Sequence, residues 1–179
     1  MTHYYRYYVL VMLTVVSMIN IMDRLILSIL LEDIKAEFTF TDTQLGVLAG
    51  LAFALFYALM SIPIARWADS SNRKNILAAA WIIWSGMTAL CGAATGLISL
   101  FLARLGVGIG EAGGRPPSYS IIADYFKPSE RARAMGVYVT GSVLGTGGGL
   151  IVGGLLGEWL GWRMTFLALG IPGVLLGVI

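Results

Sequence analysis

The sequence runs to 179 residues, 58% hydrophobic and only 12% charged, with a net charge of +2, where an ordinary soluble domain carries about 25% charged residues. Its mean hydropathy of +0.81 is more than a soluble fold can hide, which places the chain among integral, all-α membrane proteins. The basic residues are scattered and form no dense patch, so nucleic acid is not an expected partner.

Charge-free stretches locate the spans, since about 20 helical residues cross the hydrocarbon core. The first span is expected near 7–31. Tyr4, Tyr5, Tyr7 and Tyr8 crowd its start, as aromatic rings do at a membrane interface. No small-residue cleavage site follows, and Asp23 and Arg24 interrupt the apolar run, so it reads as a retained span and not a signal peptide. The second span is expected near 43–65, where Gly46, Gly50, Ala54 and Ala58 recur every four residues, a spacing that lets helix backbones approach. The charge-free run 75–103 is too long for one helix. "CGAATG", from Cys91 to Gly96, supplies a turn within it and gives a third span near 75–93 and a fourth near 97–123.

Within the fourth span, Gly108, Gly110 and Gly113 have the GxGxxG spacing of a dinucleotide loop. That fingerprint follows a strand and opens a helix, whereas "ISLFLARL" precedes it here and no parallel-sheet pattern occurs in the chain. The spacing is therefore read as helix packing, shared by Gly106, Gly110 and Gly114, and no cofactor is expected. Pro116 and Pro117, next to Gly113 and Gly114, predict a kink or an unwound turn. The fifth span, near 134–156, carries Gly141, Gly145, Gly149 and Gly153, with Gly157 continuing the stripe. A sixth opens near 164, after "WLGWR", and reads as cut short at Ile179. The expected fold is a six-transmembrane-helix bundle over residues 1–179 with its last helix truncated.

Loop charges set the orientation. With the amino terminus inside, the cytoplasmic side holds Arg6, Arg66, Arg73, Lys74, Lys127, Arg131 and Arg133, against Lys35 and Arg163 outside, as the positive-inside rule requires. Trp159 and Trp162 mark the outer boundary.

Five ionisable residues stay inside the spans: Asp23, Arg24, Arg104, Glu111 and Arg115. Each costs about 2.5–3.5 kcal/mol at a helix centre, so each is expected to face the bundle interior and find a partner. Steps of four, three and four put Arg104, Gly108, Glu111 and Arg115 on one helix face, and Asn20 shares a face with Asp23 and Arg24. The depths match if the two helices are neighbours, so that Asp23 or Arg24 meets Arg104 or Glu111. The cluster has a cationic surplus, which suits an anionic headgroup while a carboxylate takes up and loses a proton. The plainer reading is a buried ion pair that only fixes packing. The single Cys91 rules out an internal disulfide and a thiolate metal cage, and the lone His3 sits at the amino terminus. No nucleophile–base or metal-ligand spacing appears, so neither an enzyme nor a metal site is expected.

These residues resemble the amino-terminal half of a major facilitator superfamily transporter. "ARWADSSNRK" is similar to the superfamily's GxxxDRxGRR loop: Asp69, Arg73 and Lys74 match, while Ala65, Ser70 and Asn72 depart from it. Asn72 is a mild change, because asparagine tolerates a left-handed turn; Ser70 removes one charge from the cytoplasmic latch that such a loop forms. Gly136, Gly145, Gly149, Gly153 and Gly154 match the antiporter glycine pattern, with Leu150 in place of its proline. "NIMDR" at 20–24, "NRK" at 72–74, and "GIGEA" at 108–112 followed by "IIADYF" resemble the Spinster-like branch. Arg115 is a departure, where a small residue is more usual.

The resemblance implies a central cavity lined by Asp23, Arg24 and Glu111, and proton-linked export of amphipathic lipids such as lysophospholipids or sphingoid phosphates. It also implies alternating access against a second six-helix half, in a bacterial inner membrane with the amino terminus cytoplasmic. Two rivals stand beside it: a small organic-anion or drug porter, and a non-transporting membrane scaffold or half-size dimerising unit.

Overall fold

The computed structural model describes residues 3–178, less the side chains of His3, Ala52, Asp69, Leu176 and Val178. The expectations for His3 and for the carboxylate of Asp69 therefore fall outside the described residues. Among those residues every regular element is helical: α1 (His3–Phe38), α2 (Asp42–Gly46), a π turn (Val47–Leu51), α3 (Ala52–Ser70), α4 (Arg73–Gly92), α5 (Leu97–Ala112), α6 (Arg115–Tyr125) and α7 (Pro128–Val178). Five stretches are long and apolar enough to cross a membrane. The last is broken at Gly161, whose φ of 74° and ψ of 166° lie where essentially only glycine goes, so α7 is two legs and the bundle has six spans.

The boundaries follow local chemistry. Thr41 and Gln44 form a reciprocal capping box that starts the second span. That span then continues from α2 through the π turn into α3, past Pro63. The expected turn before the fourth span falls at 93–96, inside "CGAATG". The first helix, His3–Phe38, extends past the expected span near 7–31 at both ends, with Asp23 and Arg24 inside it as expected.

Glycines set how the spans meet. A Cβ on Gly141 or Gly145 would strike the carbonyl oxygen of Thr14 or Met18. On Gly149 it would lie 3.0 Å from Met22 Cα, and on Gly153 2.9 Å from Ile26 Cγ1. The first leg of α7 thus runs parallel to α1 with its backbone against it. The second leg runs antiparallel to α4: Gly170 meets Ala89, Gly173 meets Ser85 and Gly177 meets Ile82. In α5, Gly106 meets Met87 and Gly110 the backbone of Trp84, while Gly108 approaches Phe53 of α3. Two glycine expectations need correction. Nothing lies within 4 Å of a Cβ on Gly46 or Gly50, which face away from the described bundle, and Gly114 meets only the carbonyl of Glu111 in its own turn.

The fourth span breaks where the prolines predict. Gly113 and Gly114 donate to the carbonyls three residues back, at 3.1 and 3.0 Å, and α6 restarts with Pro116 and Pro117 in its first turn. The main apolar core extends from Val16 and Ile26 of α1 through Trp84 and Val107 to Phe166. A smaller one joins Leu10 and Leu13 to Ile122, Phe126 and Tyr138. Large apolar side chains such as Val143, Leu150 and Ile151 point outward, as lipid-facing residues do.

Candidate functional site

Close packing of α4 on α5 and of α3 on α5 leaves the polar residues of α1 facing Glu111. Arg24 Nε donates to Glu111 Oε2 at 2.5 Å, with the glutamate side chain fully buried and the arginine side chain 26% exposed. This is the meeting of α1 and α5 that the depths of the charges predict. The Arg24 guanidinium also lies 4.7 Å from the ring centre of Phe53 and 4.9 Å from that of Tyr57, and these two rings stack at 5.8 Å. Arg104 is buried too, 5.5 Å from the Phe53 ring, and within electrostatic reach of both Asp23 and Glu111.

The site keeps unused hydrogen-bonding capacity. Arg24 Nη2, Arg104 Nε, Arg104 Nη1 and Glu111 Oε1 are buried without a hydrogen-bond partner. Buried polar atoms are almost always satisfied, so several orphans in one place call for an explanation beyond the contacts that pack the helices. Three of the four are donors on cations, the chemistry that takes up a carboxylate or phosphate.

Asp23 is held differently. Trp84 Nε1 and Thr88 Oγ1 both donate to its Oδ2, at 2.9 and 3.0 Å, from successive turns of α4. Trp84 and Thr88 carry no charge and lie in a span that reads as plain apolar helix. Their four-residue spacing is the one trace in the sequence of a shared face. Phe53 and Tyr57 repeat that spacing in α3. Asn20 is buried near Asp23 and makes no side-chain hydrogen bond among the described residues.

Arg115 does not join this cluster. The turn at Gly113–Gly114 resets the helix register, so the shared face expected from steps of four ends at Glu111. Arg115 is instead within electrostatic reach of Tyr138 of α7, whose ring packs edge-on to Tyr119 at 5.4 Å. Arg115 makes no ion pair or hydrogen bond among the described residues.

The latch loop lies at the amino-terminal end of α1. Asn72 is extended, with φ −70° and ψ 105°, and not left-handed. It caps α4 by accepting from the N–H groups of Lys74 and Asn75 at 3.0 and 3.4 Å. Arg73 pairs with Asp124 at the end of α6, a partner that sequence reasoning missed. Lys74 makes no ion pair among the described residues. Nearby, Arg6 holds Glu130 at 2.8 Å and Arg131 donates to the carbonyls of Phe126 and Ala123. At the other end, Glu37 accepts from Arg163 at 2.6 Å and from Trp162 at 2.7 Å, while Arg163 also reaches the carbonyls of Gly92 and Ala94.

A bundle of membrane helices, one of them interrupted beside a buried, incompletely satisfied ion pair, is the architecture of a secondary transporter. Residues 13–179 match the Major Facilitator Superfamily, and the chain belongs to that superfamily of transporters, which are not enzymes. Its fold is similar to that of part of a bacterial homolog to the human lysosomal transporter Spinster. The inward-facing unoccupied and occupied structures of that homolog superpose with TM-scores of 0.94 and 0.95 at 41% identity, covering 99% of this chain and 43% and 44% of theirs. In sequence it is 37% identical over 164 residues to an MFS-type efflux pump of Mycolicibacterium smegmatis, covering 92% of this chain and 38% of the pump. It is 32% identical over 174 residues to the D-galactonate transporter of Escherichia coli, covering 97% of this chain and 40% of that protein. The chain thus spans about two-fifths of the length of the relatives it matches.

Proposed function

We propose that this chain is the amino-terminal six-helix half of a proton-linked transporter that moves an amphipathic anion, a lysophospholipid or sphingoid phosphate, by alternating access. The observation that carries this reading is the Arg24–Glu111 pair, with Arg24 laid on the Phe53 and Tyr57 rings and one guanidinium nitrogen left unpaired. The guanidinium suits a phosphate, and the rings beside it suit an apolar chain. Protonation of Glu111 would release Arg24 to the substrate, and loss of the substrate would return it. Asp23 and Arg104 share the site's charge, and Asn20 lies one turn below. Arg115 is a separate cation that tunes charge preference, and the Asp69–Lys74 loop is the cytoplasmic gate. The resemblance of its motifs to the Spinster-like branch implies the lipid-like class, and a bacterial inner membrane with a cytoplasmic amino terminus suits the loop charges.

A second reading, a porter of small organic anions, is favoured by the relatives named for sugar acids: the D-galactonate transporter and a probable L-galactonate transporter of Escherichia coli. The test is flux in proteoliposomes of the complete transporter at several pH values, with lysophosphatidylglycerol, sphingosine 1-phosphate and D-galactonate as cargo. Transport of the lipids, with its pH dependence lost in Glu111→Gln or Asp23→Asn, is the expected result. Galactonate flux without lipid flux selects the second reading. Unchanged flux and pH dependence in both variants would remove the proton-linked role.

A further inference from the structure

A second space touches Asp23 from behind. A cavity of about 150 Å³ lies between α1, α4 and the second leg of α7, with Asp23, Ser85 and Thr88 on one side and Ala168, Pro172 and Gly173 on the other. Three polar groups on its wall have spare capacity. Trp84 and Thr88 both donate to Asp23 Oδ2, so Oδ1 has no donor among the described residues. The Ser85 hydroxyl makes no hydrogen bond among them either. Pro172 has no N–H, so the carbonyl of Ala168, one turn earlier in the helix, loses its usual donor. Glycine at 173 keeps the space clear, since a Cβ there would collide with Ser85 Oγ. A cavity of this size with a carboxylate oxygen, a hydroxyl and a carbonyl on an otherwise apolar wall meets the requirements for an ordered water, which needs two to four polar partners.

We propose that this cavity is a hydrated antechamber that delivers protons to Asp23 from the α4–α7 side, apart from the Arg24–Glu111 pair where the substrate is expected. The inference rests on the proton-linked reading above. A hydronium in the cavity gives its proton to Asp23 Oδ1 and remains as water; the carboxylate becomes the neutral acid, and the reverse step returns the proton. The groups facing Asp23 are Arg24 on its own helix, Arg104 and Glu111 on α5, and Trp84, Thr88 and the Cys91 thiol on α4. Among the described residues, the second leg of α7 contributes no ionisable group to the cavity wall. Separate routes let the carboxylate reload while a substrate occupies the other face.

The experiment is infrared spectroscopy of the complete transporter in lipid. The protonated-carboxyl stretch of Asp23 is identified by its loss in Asp23→Asn, and that of Glu111 by its loss in Glu111→Gln. Each band is then followed after mixing with D2O. Ser85→Val narrows the cavity and removes its hydroxyl; Pro172→Ala returns a donor to the Ala168 carbonyl and regularises the helix, so it reports even if the first variant folds poorly. Exchange at Asp23 is expected to slow by about ten-fold in either variant, because each takes away a hydrogen-bonding partner of the bridging water, while Glu111 exchanges as in the wild type. Wild-type exchange at Asp23 in both variants, or equal slowing at Glu111, overturns the antechamber. If Asp23→Asn removes no protonated band from mildly acidic to alkaline pH, the proton-linked role of Asp23 itself fails.

Discussion

At the residue scale the decisive object is a buried ion pair with one exposed edge. Taking charges out of water is costly, and removing one partner of such a pair leaves the other uncompensated, a loss of about 3–5 kcal/mol in buried sites. An apolar replacement of both partners is often neutral. Arg24→Met alone is therefore expected to lower the unfolding temperature in detergent, because Glu111 is fully enclosed, and adding Glu111→Leu is expected to recover most of that loss. If the double variant is less stable than the single, the pair is a packing device and not a site. Asp23 gives a milder expectation. Trp84→Phe or Thr88→Val removes one of its two donors, and side-chain hydrogen bonds between membrane helices average about 0.6 kcal/mol. Each variant should melt slightly lower and keep its fold. The charge positions were legible in the sequence because helical spacing and membrane depth both constrain them. Trp84 and Thr88 were not, because an uncharged face on a third helix gains meaning only when α1 packs on it. Arg115 misled for the opposite reason: a four-residue step holds only while the helix is continuous, and Gly113–Gly114 ends that continuity.

At the scale of elements, small residues do what apolar contact cannot do within lipid, which is to hold helices against one another. The stripe at Gly141, Gly145, Gly149 and Gly153 was readable from spacing alone, and each position meets α1. Gly46 and Gly50 have the same spacing and meet nothing within 4 Å, so spacing reports that a face is smooth but not what lies on it. This contrast is testable. Gly145→Val places a side chain on the carbonyl of Met18 and is expected to destabilise by about 1–3 kcal/mol or block assembly, as overpacking does. Gly147→Val, two residues on, faces open space and should be silent. Thermal melts of the two purified variants decide it; equal melting of both means that α1 and α7 are not held by this stripe. Gly161 adds a backbone case. Any side chain there is forced into a region that costs about 1–3 kcal/mol, so Gly161→Ala should loosen the joint between the two legs of α7.

At the scale of the whole molecule, the same contacts make one body of six spans. The first leg of α7 lies along α1, its second leg along α4, and α4 along α5. Ion pairs tie the ends, Arg6 to Glu130 at one and Arg163 to Glu37 at the other. Alternating access by rocking requires that such a half move as a unit against its partner. The body's rigidity can be probed at Ser17 and Ser142, whose hydroxyl oxygens are 2.9 Å apart across the α1–α7 seam. Cysteines at both positions lie close enough to be joined by mild oxidation, read as loss of labelling by a maleimide polymer and its return on reduction. Cys91 is buried and contributes little background. If this half moves as one body, as the proposed alternating access requires, the cross-link is expected to leave the flux of the complete transporter within about two-fold of the reduced form, since a rigid unit loses no motion when it is stapled to itself. Flux abolished by oxidation and restored by reductant would mean that α1 slides on α7 during transport, and the substrate site would then have to be opened by helices within this half and not between two halves.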